Sequence, residues 1–337
     1  MKQLGYVAGK SLDDNDAFVE FTSDTPAPQG HDLLVSIKAI SINPVDTKIR
    51  ARTTEAKDKP VILGWDAAGI VEAVGESVSL FKPGDKVFYA GDVTRPGSYA
   101  SHQLVDERIV GHMPNTFSYE QAAALPLTSI TAWEALFDRL KIDPNKDAGK
   151  SILIIGAAGG LGSIAIQLAK QVAGLTVLAT ASRAESIAWC KKMGADHVLN
   201  HQADLLTEIQ QAGLKQADYI FCLYDTDKYF DQMAELIAPQ GGICAVVDTK
   251  QPHNLSVLKS KSVSFCWEFM FTRAMFQTAD MIEQHALLNN ISSLVDEGKL
   301  KTTLNKTLST LDPVTLVQAH RLLETGQSIG KLVLATA

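Results

Sequence analysis

Between residues 151 and 247, short aliphatic runs alternate with longer stretches whose apolar residues recur at helical spacing. Ile152–Ile155 are four aliphatic residues in a row, and SIAIQLAKQV follows after a glycine-rich step. A buried strand, a tight turn and a helix are therefore expected in direct succession. The rhythm continues through strand LTVLATA (175–181), a helix at 184–193, a short strand HVLNH (197–201) and a helix at 203–212. Strand DYIFCLY (218–224), a helix at 227–237 and strand GICAVV (242–247) extend it. Such alternation predicts a parallel sheet with helical crossovers. TSITAWEALFDRL (128–140) leads in as a helix, and SVSFCWEFMF (262–271) reads as a further strand. One long helix at 274–298 and a strand–helix–strand unit ending in KLVLAT (331–336) complete the pattern.

Residues 1–126 have a different texture. LLVSIKAISI (33–42) alternates partly, ILGWDAAGIVEAVG (62–75) mixes apolar runs with glycine, and FKPGDKVFYA (81–90) places a Pro-Gly turn before a strand. These features predict a glycine-punctuated, partly open β-barrel. The chain reads as α/β: a catalytic part at 1–126, a dinucleotide-binding domain at 127–272, and a segment at 273–337 that returns to the first part.

The turn after the first aliphatic run carries candidate chemistry. In SILIIGAAGGLG (151–162), Ala157, Gly159 and Gly162 occupy the three small positions of a dinucleotide fingerprint. They are expected to allow the turn, the approach of a pyrophosphate, and close helix–strand packing. The N–H groups of Gly160, Leu161 and Gly162 then face the phosphates at the helix start. An acidic residue for the ribose hydroxyls belongs at the tip of the second strand. Here the tip reads Thr180-Ala181-Ser182-Arg183, with no carboxylate before Glu185. A like charge about 5 Å from a 2′-phosphate would cost about 3 kcal/mol at an effective dielectric near 20. Arg183 and Ser182 instead offer donors, so NADPH is expected over NADH. The alternative for Arg183 is a solvated charge opening the next helix.

Composition excludes several classes. With 46% hydrophobic and 20% charged residues in 337, the chain is ordinary globular protein. A net charge of −7 provides no basic field for nucleic acid. No apolar run reaches the length of a membrane span, and the N-terminal residues lack a signal-like apolar core. Cys190, Cys222, Cys244 and Cys266 are widely spaced and read as reduced thiols of a cytoplasmic protein.

SINPVDTKIR (41–50), ILGWDAAGIVEAVG (62–75), FKPGDKVF (81–88), AALPLTSITAWEAL (123–136), ILIIGAAGGLGSIAIQLAK (152–170) and GADHVLNH (194–201) together resemble the medium-chain dehydrogenase/reductase superfamily. The resemblance is strongest to the quinone oxidoreductase family, in the branch labelled zinc-type alcohol dehydrogenase-like. It implies a GroES-like catalytic domain, a Rossmann domain, NADPH in the cleft between them, and a homodimer. Zinc members of the superfamily hold the catalytic metal with cysteine, histidine and glutamate side chains. Asn43, Trp65 and Leu127 stand at the corresponding positions, and residues 89–115 contain no cysteine for a structural zinc lobe. No zinc is expected.

Without a Lewis acid to stabilise an alkoxide, plain alcohol oxidation is disfavoured. A quinone or conjugated enone takes hydride and delocalises the charge itself, so hydride transfer from NADPH to a quinone-type acceptor is the leading expectation. An alkenal or enone double-bond reductase comes next, then a zinc-type alcohol dehydrogenase, then a non-catalytic NADPH-binding protein. The resemblance places Asn43 beside nicotinamide or substrate; an Asn-Pro turn is its alternative. Thr128 and Thr131 fall at the nicotinamide end, with helix N-capping as the alternative. Trp65 stands in the former metal space, facing an aromatic substrate or simply packed. His201 flanks the adenosine ribose or 2′-phosphate, or is a loop histidine. Catalytic roles are thus expected for Asn43, Trp65 and Thr128. Arg50 is expected to pair with Asp46 or Asp66. No proton donor stands out, although Tyr89, Tyr99 and Tyr224 are available.

Overall fold

The computed structural model describes residues 1–55 and 57–336. Two compact units divide the chain, one formed by residues 1–127 and 271–337, the other by 128–270.

In the first unit, β1 (Lys2–Tyr6) pairs with β2 (Phe18–Thr22). Next come β3 (Asp32–Ile42), α1 (Pro44–Arg52), β4 (Val61–Ile62) and β5 (Asp66–Val74). β6 (Lys86–Tyr89), β7 (His102–Asp106), β8 (Val110–His112) and α2 (Tyr119–Ala123) follow. The glycine-containing stretch at 62–75 is shared between two strands, β4 and β5. Gly64, at φ +86, turns the chain between them, and a Cβ there would lie 2.1 Å from the Tyr99 ring.

The second unit opens within α3 (Pro126–Trp133), which passes into a π-helical turn at Glu134–Arg139. The expected single α-helix at 128–140 widens there: Leu140 N–H bonds the Ala135 carbonyl at 2.9 Å, five residues back. The alternating elements are β9 (Ser151–Ile155), α4 (Gly160–Gln171), β10 (Thr176–Thr180), α5 (Ala184–Met193) and β11 (His197–Leu199). α6 (Leu205–Gln211), β12 (Ala217–Cys222), α7 (Thr226–Leu236), β13 (Ile237–Ala245) and β14 (Ser264–Trp267) complete them. All six strands pair in parallel, in the order β11-β10-β9-β12-β13-β14. Every residue of β9 is buried, as expected for a central strand covered on both faces. The strand expected at 262–271 is confined to four residues. It starts after Ser262, at φ +52, and is followed by turn and helix.

The chain then returns to the first unit through α8 (Thr272–Met275), α9 (Glu283–Asp296), β15 (Leu304–Thr310), α10 (Pro313–Glu324) and β16 (Lys331–Ala335). The long helix expected at 274–298 is broken after Met275. Gln277 adopts φ +49, and its side-chain amide bonds the Ala274 carbonyl at 2.8 Å, closing the first helix. β16 lies between β15 and β3 in the order β15-β16-β3-β5-β6-β8, with β7 also on β3. Lys331 is thereby carried beside Asn43 and Asp66 at the ends of β3 and β5.

Candidate active site

In the second unit the glycine-rich turn follows β9. The left-handed residue is Gly156, at φ +81, and not Ala157, to which the sequence pattern assigned the turn. A Cβ at Gly156 would lie 3.0 Å from Tyr224 Cβ. Gly156 N–H bonds Thr180 Oγ1 at 2.9 Å, fastening the turn to the tip of β10. Gly159 caps α4 in extended conformation, with open space where a Cβ would stand. At Gly162 a Cβ would meet the Ala157 carbonyl oxygen at 2.2 Å, so only glycine lets α4 approach the strand end. Gly160, Leu161 and Gly162 form the first turn of α4.

At the tip of β10, Ser182 Oγ lies 3.3 Å from His201 Nε2. Arg183 is exposed and caps α5, with its N–H on Ser186 Oγ. His201 Nδ1 is buried without a hydrogen-bond partner. Burial, assisted by the Lys228 charge, holds the His201 imidazole below its ordinary value, so it is less readily charged than an exposed histidine. The open space at Gly159, the unsatisfied His201 nitrogen and the exposed Arg183 guanidinium fit the pyrophosphate and sugar-phosphate ends of a dinucleotide. Thr128 and Thr131 lie buried inside α3, past the N-cap position, which removes helix capping as their role.

In the first unit a buried polar network joins β3, α1, β5 and β16. Asn43 caps α1 in extended conformation, its N–H bonded to Asp46 Oδ2 at 2.9 Å. Its amide spans two neighbours: Nδ2 donates to Asp66 Oδ2 at 2.8 Å, and Oδ1 accepts from Lys331 Nζ at 2.6 Å. Lys331 also donates to Asp66 Oδ2 at 2.9 Å, and the Leu127 N–H fills Asp66 Oδ1 at 2.7 Å. Asp66 and Lys331 form a buried ion pair, 0% and 4% exposed. Behind it, Tyr99 Oη lies 3.1 Å from Asp46 Oδ2 and 3.0 Å from His320 Nε2. Burial pushes the Asp46 carboxyl up to about 7 and the His320 imidazole down to about 3.

Of this network, sequence reasoning named Asn43, Asp46, Asp66 and, as an available proton donor, Tyr99, but missed Lys331 and His320. Arg50 departs from expectation: its guanidinium bonds Glu324, and Asp66 is taken by Lys331. Trp65 is buried, its indole N–H on the Asp92 carbonyl at 3.0 Å and its ring edge-on to Phe271 at 6.1 Å. Of the candidate tyrosines, Tyr89 and Tyr99 are fully buried, and burial drives both hydroxyls well above their ordinary value. Tyr224 is exposed beside Gly156.

The residues at the zinc-ligand positions do not fit zinc. Trp65 presents only an N–H donor, Leu127 has no donor atom, and Asn43 Oδ1 already holds an ammonium group. Among the described residues no cluster of three histidine, cysteine, aspartate or glutamate side chains could hold a metal.

A fold with a GroES-like part and a six-stranded parallel sheet, with a fingerprint turn, defines a dehydrogenase/reductase architecture. The chain matches the alcohol dehydrogenase GroES-like domain over residues 29–117 and the zinc-binding dehydrogenase family over residues 193–334. It belongs to the medium-chain dehydrogenase/reductase superfamily and is an oxidoreductase of that group. A zinc-type alcohol dehydrogenase-like protein of Staphylococcus aureus is 47% identical over 99% of both chains. The quinone oxidoreductase of Lama guanicoe is 33% identical over 75% of this chain and 76% of its own. A Rhizobium etli crystal structure, described provisionally as a zinc-dependent alcohol dehydrogenase, superposes with a TM-score of 0.94. It is 49% identical and covers 100% of this chain and 98% of its own. Escherichia coli quinone oxidoreductase, solved with NADPH, shares the fold at a TM-score of 0.84 and 24% identity, over 99% of this chain and 100% of its own.

Proposed function

We propose that this protein transfers hydride from NADPH to a quinone-type conjugated carbonyl acceptor without zinc. The observation that carries the reading is the chemistry of the would-be metal site. Its one oxygen donor is bound to Lys331, and its other two positions hold tryptophan and leucine. An acceptor that delocalises its own negative charge suits such a site, whereas an alcohol needing its alkoxide stabilised does not.

When bound, NADPH supplies the hydride. Arg183 and Ser182 would bind the 2′-phosphate, with His201 beside them at the tip of β10. The amides of Gly160, Leu161 and Gly162 would take the pyrophosphate, with Gly159 giving it room and Ala157 and Gly156 shaping the turn. Thr128 and Thr131 would hold the nicotinamide end. Asn43 has its amide committed to Asp66 and Lys331, so its part is to fix the loop that borders the acceptor, together with Trp65. Tyr99 bonds inward to Asp46 and His320, and water protonates the reduced oxygen in this scheme.

Stopped-flow mixing of NADPH-loaded protein with a benzoquinone and with an α,β-unsaturated ketone tests the reading. Faster reoxidation by the quinone is expected, and faster reoxidation by the ketone would make the protein a double-bond reductase. Tightly bound zinc with chelator-sensitive alcohol oxidation would overturn the metal-free scheme. Tight NADPH binding with no turnover across a broad acceptor panel would make it a non-catalytic binder. A homodimer through the open edge of β14 agrees with the exposed Trp267 at the end of that strand, and light scattering would detect it. A cytoplasmic setting accords with four free thiols.

A further inference from the structure

We propose that Cys244 and Cys266 form a redox-active dithiol pair that hydrogen peroxide converts to an intramolecular disulfide. The two are register partners on the adjacent parallel strands β13 and β14, so their side chains leave the same face of the sheet. Neighbouring strands lie about 4.8 Å apart, a spacing within the Cα range that disulfides span. The opposite face is occupied by Ile243 and Phe265, which belong to the core packed on that side. The cysteine face looks toward the π-helical turn: a Cβ at Gly242, on the same face as Cys244, would lie 2.9 Å from Leu140 Cδ2. Arg139 of that turn sits on Glu268, just past Cys266, with its Nε 2.9 Å from Oε2.

The two thiols are chemically unequal. Cys244 is buried, while Cys266 is partly exposed on the edge strand. Cys266 Sγ–H donates to the Ile243 carbonyl at 3.3 Å, and contact with the Cys244 thiol, helped by the Arg139 charge, holds Cys266 below the ordinary thiol value. The same contact, with burial, drives Cys244 well up. Cys190 and Cys222 are pushed by burial to about 12 and about 11. Among the four cysteines, a partly exposed thiol held below its ordinary value beside a second thiol, which can resolve a sulfenic acid, is found only here. Strand pairing at the β14 edge runs in the plane of the sheet, whereas the Cys266 thiol projects from its face, so a partner strand on that edge leaves the thiol uncovered.

The chemistry balances with one peroxide. Cys266 thiolate attacks a peroxide oxygen, the O–O bond breaks, the departing hydroxide takes up a proton as water, and Cys266 becomes a sulfenic acid. Cys244 sulfur then loses its proton and attacks the Cys266 sulfur. The S–O bond breaks and a second water leaves. Two thiols have lost two electrons and two protons, and the peroxide has been reduced to two waters.

The experiment treats the intact protein with hydrogen peroxide and maps its peptides by mass spectrometry without reductant. A Cys244–Cys266 linked peptide that dithiothreitol reverses is expected. Iodoacetamide should label Cys266 roughly tenfold faster than Cys190 at neutral pH. In Cys244→Ala, with the fold checked by circular dichroism, dimedone should trap a persistent sulfenic acid at Cys266. The proposal is overturned if Cys266 is labelled no faster than Cys190. It is equally overturned if wild-type Cys266 passes to sulfinic acid without a crosslink, or links only to a second chain.

Discussion

Asp46 and His320 sit at opposite ends of a hydrogen-bonded row through Tyr99, and their titrations oppose one another. The Asp46 carboxyl rises from 3.8 to about 7 on folding, and the His320 imidazole falls from 6.5 to about 3. Between about pH 4 and pH 6.5 the unfolded chain carries a proton on His320 and none on Asp46, whereas the folded protein carries one on Asp46 and none on His320. The raised carboxyl alone makes stability fall as pH rises toward 7. The depressed imidazole alone makes stability fall as pH drops below 6.5. Each slope is at most about 1.4 kcal/mol per pH unit, and in the wild type they cancel. Asp46→Asn should leave only the histidine slope, losing roughly 2–3 kcal/mol relative to wild type between about pH 6.5 and about pH 4.5. His320→Gln should do the reverse and gain stability on acidification, and the double variant should again track the wild type. Urea unfolding followed by tryptophan fluorescence over that range measures all four proteins. Parallel profiles for the two single variants would refute the assignment of the proton.

Other outcomes follow from single residues. Lys331→Met and Asp66→Asn should each destabilise the protein by about 3–5 kcal/mol, because each strands a buried charge. The double variant should recover part of that loss, and strictly additive urea midpoints would deny the coupling. Arg183→Ala should raise the NADPH dissociation constant about 10- to 100-fold through loss of a charge-assisted bond, with NADH binding unchanged; fluorescence titration with both nucleotides separates the two. Gly162→Ala drives a Cβ against the Ala157 backbone at 2.2 Å, where no flexible side chain can yield. It should cost about 1–3 kcal/mol, read as a lower thermal midpoint.

The alternating region was legible because buried parallel strands are almost uniformly apolar, as β9 illustrates with five buried residues in sequence. The break after Met275 was not, since Gln277 takes up the left-handed turn without a glycine or proline to mark it. The π-helical turn at 134–139 has the same apolar spacing as an α-helix to within a residue, and was equally invisible. At the site, motif spacing selected Asn43, Trp65 and the fingerprint glycines, although it put the turn one residue late, at Ala157. The Lys331–Asp66 bond joins residues 265 positions apart, and no local periodicity reports such a pairing. For the same reason Arg50 was matched to nearby carboxylates, when α10 brings Glu324 to it.

The position of β16 between β15 and β3 also has a kinetic meaning. The unit formed by residues 128–270 is one uninterrupted stretch and can fold while the ribosome is still at work. Its neighbour cannot finish, because the cation that neutralises Asp66 is not made until residue 331. Until then the carboxylate at the start of β5 has no ammonium partner, and β3 lacks the neighbour that covers its edge. Premature termination after residue 270 and before β16 would therefore yield a finished parallel sheet attached to an open, charged and self-associating barrel.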